Sequence, residues 1–172
     1  MIYVLAVILS WFLAVLNVSA MPYVKVLGVT PDFVLILAAS WAMVRGQDEA
    51  LIIVPIAGLL RDLSTSDPIG TSILAFVPIV LLAMAVRVRA VDTEFIPTVV
   101  VVATASLVYG VISMAVLSLS GQDIPLGHAL LRVVVPSIFV NALFTPIIYL
   151  PVRWLSPERK WMTGSSRLTS PL

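Results

Sequence analysis

Two aspartates and an arginine are the residues here whose types and spacing could do chemistry. Asp32 opens one apolar run, and Arg61-Asp62 closes the next. Paired carboxylates inside a membrane could hydrolyse a peptide bond by sharing a proton as acid and base. Arg61 argues for ion pairing instead, and both aspartates stand at the ends of their runs rather than within them. His128 and Arg132 lie one helical turn apart and read as a wet interfacial face. The chain has no Cys and one His, so neither a thiol nucleophile nor a Cys- or His-based metal centre is expected. It holds no Gly-rich phosphate loop, no His-Glu-x-x-His pattern and no Ser-His-Asp set. No catalytic residue, cofactor or nucleic-acid partner is expected, and the chain reads as a non-enzyme.

The elements that must position these charges are membrane helices. Of 172 residues, 60% are hydrophobic and 11% charged, and the mean hydropathy is +1.12. A soluble domain is about 45–50% apolar and about 25% charged. An all-α integral membrane protein follows, with six spans in one bundle at about 2–21, 31–45, 49–63, 68–86, 95–119 and 130–152. Residues 1–155 form that single domain, and the tail 156–172 reads as disordered. A cleaved leader is the rival reading of the first span, but no Lys or Arg precedes its apolar run. Asn17 inside that span is expected to make an interhelical hydrogen bond. Ser106, Gly110 and Ser113 form a small-residue stripe suited to close helix approach.

Spans two and three are short. Their uncharged runs of 12 and 11 residues cover only roughly 17–18 Å, against a hydrocarbon core of about 30 Å. They form either a re-entrant hairpin or two full spans with Asp32, Arg61 and Asp62 partly sunk; full spanning is preferred. Gln47 is the centre of the turn, with Asp32 15 residues before it and Asp62 15 after. In an antiparallel hairpin those positions share a depth. Arg61 then either pairs with Asp32 or snorkels to the interface, and the spacing leaves both open. Pro55 is expected to bend span three. Asp67 is expected to cap span four, with Pro68 as its first helical residue.

Six spans put both termini on one side. With the N-terminus inside, the cytoplasmic segments hold seven Lys and Arg, and the outer loops hold three: Lys25, Arg61 and Arg132. The positive-inside rule therefore places both termini in the cytoplasm and residues 58–70 at the outer face. Proline-broken helices, at Pro55, Pro78, Pro136 and Pro146, are also how membrane proteins build solute sites.

Several short motifs recur in a fixed order. They are Pro31-Asp32 with Arg45-Gly46 after an apolar run, Gly58-Leu-Leu-Arg61-Asp62-Leu63, Asp67-Pro68-Ile69-Gly70, and Asn141-Ala-Leu-Phe-Thr-Pro146-Ile-Ile-Tyr149. In these the chain resembles the bacterial rod shape-determining protein MreD family, over about residues 31–155. The resemblance implies a scaffold of the cell-elongation complex in the bacterial inner membrane. It implies MreC as partner, through a membrane helix, with MreB and the peptidoglycan polymerase–transpeptidase pair reached directly or through MreC. It also implies a fold similar to the substrate-binding subunits of energy-coupling-factor transporters, so a solute-binding subunit of a vitamin-type transporter is the alternative. By the family pattern Asp32, Gly58, Asp62, Gly70, Asn141 and Pro146 are the structural or partner-binding candidates, joined by Arg61 from its charge and place.

Overall fold

The computed structural model describes residues 2–65, 68–87, 95–121 and 126–156. Six helical rods account for nearly all of them: α1 (Ile2–Ser19), α2 (Phe33–Arg45), α3 (Gln47–Ser64), α4 (Thr71–Arg87), α5 (Phe95–Leu119) and α6 (126–154). The last is continuous but not uniform: Leu126–Ala129 and Val135–Trp154 are α-helical, and Leu130–Val134 between them is π-helical. The Val135 N–H reaches back to the Leu130 carbonyl. Pro136 follows at once; it has no N–H for the carbonyl four residues earlier, and its ring crowds that carbonyl, so the ladder widens there. The segment 126–129, ahead of the last span expected at about 130–152, is thus part of the same rod.

Helix α2 is the axis of the bundle. Every residue from 33 to 44 is buried, whichever way it points. A helix apolar all round is stable only when surrounded, and α2 packs against all five others. Around it, α1 packs on α3, α3 on α4, α4 on α5 and α5 on α6; no comparably packed seam joins α6 to α1 among the described residues. With its 13 residues, α2 is about 20 Å long. Because it meets neighbouring helices rather than lipid, it need not match the bilayer's thickness. That is why so short an apolar run suffices.

The outer rods show the converse pattern. Helices α1, α5 and α6 are long and apolar enough to cross a membrane, while α2 and α4 are shorter apolar helices. Large apolar side chains stand exposed on the outer rods, among them Trp11, Phe12, Leu81, Val100 and Phe139. A surface so apolar is stable against lipid tails, which makes this a membrane protein.

Two junctions set the geometry of the polar residues. Gly46, at φ +99°, ends α2 and begins α3 with no residue between. Across it, Arg45 forks onto the Glu49 carboxylate at 2.9 Å through each nitrogen, with its guanidinium 5.8 Å from the Trp41 ring centre. The α3–α4 seam closes at Gly58, where a Cβ would stand 3.0 Å from the Ile73 backbone nitrogen and 3.1 Å from its Cα. The neighbour is main chain, which gives little. Gly58→Val is therefore expected to lower stability by about 1–3 kcal/mol, read as the unfolding midpoint in detergent. A variant within about 0.5 kcal/mol of the parent, the usual range of a neutral surface change, would show that the seam adjusts freely.

Helix α4 starts later than its sequence suggests. Pro68 is not its first helical residue: Pro68, Ile69 and Gly70 form a turn, and the helix begins at Thr71. The Pro68 carbonyl accepts from the Thr71 N–H at 3.1 Å and from its hydroxyl at 2.7 Å. Asp67, expected as the cap, lies outside the described residues. Pro55 does not break α3, which runs on through it to Ser64.

Candidate functional site

The charges of the sequence meet at one end of the bundle, where α2 begins. Asp32 is the N-cap of α2, and its Oδ1 accepts the Leu35 N–H at 3.0 Å. The same oxygen accepts from Asn17 Nδ2 on α1 at 3.1 Å, and Oδ2 meets Arg61 Nη2 on α3 at 2.9 Å. Both side chains of the pair are mostly out of solvent, at 12% exposure for Asp32 and 14% for Arg61. The carboxylate also sits at the positive end of a helix dipole. Three independent effects therefore hold one negative charge at the end of an apolar rod.

Arg61 extends the network to two more helices. Its Nη1 donates to Ser72 Oγ on α4 at 2.8 Å and to the Tyr109 hydroxyl on α5. The guanidinium carbon lies 4.4 Å from the Tyr109 ring centre, within cation–π range. Asn141 brings in α6: its Oδ1 accepts the Asp32 N–H at 2.8 Å, and its Nδ2 donates to Ser106 Oγ on α5 at 2.9 Å. Asn17 Oδ1 accepts the Phe33 N–H at 3.3 Å. The first amides of α2, which its own helix cannot satisfy, are thus taken up by side chains of α1 and α6. Asn141→Leu would orphan the part-buried Asp32 N–H and is expected to cost about 1–3 kcal/mol. Scanning unfolding in detergent measures it, and an unchanged midpoint would mean that another acceptor replaces the amide.

Asp62 does something different from its neighbour. It is 2% exposed and points at the start of α4. Its Oδ2 accepts the Gly70 N–H at 2.8 Å, and the Ser72 N–H is shared between Oδ1 at 3.0 Å and Oδ2 at 3.2 Å. The residue therefore caps a helix other than its own. Gly70 holds φ +100°, a conformation that glycine adopts at little cost and that turns its N–H into reach.

Among the expected site residues, the structure brings Asp32, Arg61 and Asn141 into one network, with Gly58, Asp62 and Gly70 in the adjoining seam. Pro146 stands apart in α6, one turn beyond Asn141. Nearer that amide, the Thr145 hydroxyl donates to the Asn141 carbonyl at 2.8 Å. Ser72 and Tyr109 were not among the expected site residues, and Ser106 was read only as a packing residue. The signal for the α5 pair was present: Ser106, Tyr109, Gly110 and Ser113 share one face of α5 by helical spacing. His128 and Arg132 are exposed and lie apart from this network.

Above the start of α2, toward the end where the α1–α2 loop lies, the bundle forms an open-sided cavity of about 570 Å³. It exists because the central helix stops short while α5 and α6 continue. Asn17, Asp32, Arg61, Ser106 and Asn141 contribute to its lining, as do the apolar Val18, Met114, Val133 and Val134. Gly110 admits the Val134 side chain so closely that a Cβ there would stand 2.6 Å from its Cγ2. The arrangement can hold a fixed charge pattern beneath a part-apolar hollow. It offers no nucleophile activated by a base.

A family model described as rod shape-determining protein MreD matches residues 1–157. No curated protein and no solved structure gives a match.

Proposed function

The chain belongs to the MreD family of rod shape-determining proteins, and on that premise we propose that it is a non-enzymatic membrane scaffold that holds an MreC-type partner in the cell-elongation complex. Membership carries a role in determining rod shape. The observation that supports a scaffold is how the polar residues are used. Asn17, Asp32, Arg61, Ser72, Ser106, Tyr109 and Asn141 bond to one another across all six helices. Polar groups spent in this way fix a shape and do not turn over a substrate. A rigid bundle can then bias a partner by binding one of its arrangements more tightly than another.

The partner would set a single membrane helix against the bundle. MreB and the peptidoglycan polymerase–transpeptidase pair would be reached directly or through it. The bundle would cross the inner membrane six times, both termini in the cytoplasm, with the cavity opening on the outer side. The parent chain has no cysteine, so single introduced ones report cleanly. Lys25→Cys should react with an impermeant maleimide on intact spheroplasts, and Arg45→Cys only after lysis. The reverse pattern would invert the topology. For the scaffold itself, affinity purification in mild detergent should retain MreC at near-stoichiometric yield. Recovery of the chain alone, even after crosslinking, would sink this reading.

The cavity favours one alternative, a solute-binding subunit resembling those of energy-coupling-factor transporters, since its volume lies in the range of small-molecule sites. That reading requires a soluble metabolite to raise the unfolding temperature. A screen of vitamins and nucleosides without such a shift removes it.

A further inference from the structure

We propose that the cavity is a site for the head of a net-anionic, phosphate-bearing membrane amphiphile, whose chains leave sideways between α6 and α1. The inference goes beyond the scaffold reading and does not depend on it. Its first ground is charge. Three charged side chains line the cavity: Lys25, Asp32 and Arg61. Arg61 and Asp32 neutralise each other at 2.9 Å. Lys25 forms no ion pair among the described residues, so among them the hollow carries one unmatched positive charge at its loop side.

The second ground is hydrogen bonding. Thr65 Oγ1 and Ser113 Oγ both line the cavity, are themselves shielded from solvent, and have no hydrogen-bond partner among the described residues. Hydroxyls in that state favour a ligand that accepts or donates. Phosphate and glycerol oxygens suit them and Lys25 together. The aspartate does not oppose an anion strongly, because its oxygens already accept from Leu35, Asn17 and Arg61.

The third ground is access. The ring of rods is well packed from α1 through α3, α4 and α5 to α6, and not between α6 and α1. Val18 of α1 and Val133 of α6 both line the cavity. Acyl or prenyl chains can pass over them into the bilayer, which a soluble metabolite would not need. The α1–α2 loop beside this opening is closed on itself by a two-residue turn. Val26 and Val29 exchange N–H to carbonyl bonds at 2.9 and 3.1 Å, and Leu27 and Gly28 both hold positive φ. Lys25, Gly28, Val29 and Thr30 of this loop all line the cavity, and Val29 is buried.

The test uses the full chain in detergent micelles and native mass spectrometry. The probes are phosphatidylglycerol, phosphatidylcholine with the same acyl chains, a polyprenyl phosphate and glycerol phosphate. Phosphatidylglycerol or the polyprenyl phosphate should be retained well above phosphatidylcholine. Whichever binds more tightly identifies the source, and either supports the site. Lys25→Gln lies on an exposed loop and should weaken retention about fivefold, the worth of one cation near an anionic lipid. Val133→Trp, which narrows the exit, should also lower retention while a circular dichroism melt confirms the fold. Equal retention of phosphatidylcholine, no effect of Lys25→Gln, or glycerol phosphate binding as tightly as the whole lipid would each overturn the proposal.

Discussion

Replacing Arg61 with alanine is expected to cost about 3–5 kcal/mol. The reason lies in what stays behind. Asp32 would be left without its cation at an end of the central helix where only 12% of its side chain meets solvent. Ser72 Oγ and the Tyr109 hydroxyl would lose the donor they share. Asp32→Ala should cost a similar amount for the mirror reason, plus about 1 kcal/mol for the lost cap on α2. Removing both, as Asp32→Ala with Arg61→Ala, should be milder than the sum of the two single losses, because no charge is then stranded. A double-mutant cycle on the unfolding midpoint in detergent measures the coupling. Single costs that simply add would mean that the two side chains do not interact, and the network would have to be redrawn around Asn141.

How far this network was legible in the sequence depends on the residue. Equal spacing about Gln47 set Asp32 and Arg61-Asp62 at one depth, and geometry has Arg61 on Asp32 at 2.9 Å. Depth follows from counting along two rods joined by a tight turn. Direction does not. Nothing in the chain order says that Asp62, one residue on, turns through about 100° to face α4 instead of α2. Asn141 lies 109 residues from Asp32 and Tyr109 48 from Arg61, and a single polar residue in an apolar helix gives no clue to its partner. The short apolar run of α2 was read as a mismatch with the membrane. Its real meaning, a helix surrounded on every side, needed the positions of the other five. The start of α4 misled for a related reason. Asp-Pro is a strong local start signal, but the Asp62 carboxylate draws the first helical amides to itself and sets the start at Thr71.

That long-range cap makes a second, separate demand on the fold. Asp62→Ala is expected to cost about 2–4 kcal/mol, since it orphans the Gly70 and Ser72 amides where water is scarce, at about 1–3 kcal/mol for each unsatisfied donor. Asp62→Asn keeps one acceptor oxygen and turns an amide toward the other donor, so its cost should fall between alanine and the parent. The ordering matters more than the size. If asparagine behaves as the parent, the seam needs an acceptor but no charge; if alanine does, Asp62 caps nothing. Amide hydrogen exchange gives the local readout: Gly70 and Ser72 should lose protection before the middle of α4 does. The two carboxylates are also linked through Ser72, whose N–H binds Asp62 while its hydroxyl accepts from Arg61. Loosening the start of α4 should therefore loosen the grip on Arg61. The Asp32–Arg61 coupling energy, measured again with Asp62→Ala in the background, should shrink. An unchanged coupling would show that the seam and the charge network are independent, and that the helix start only sits beside the pair.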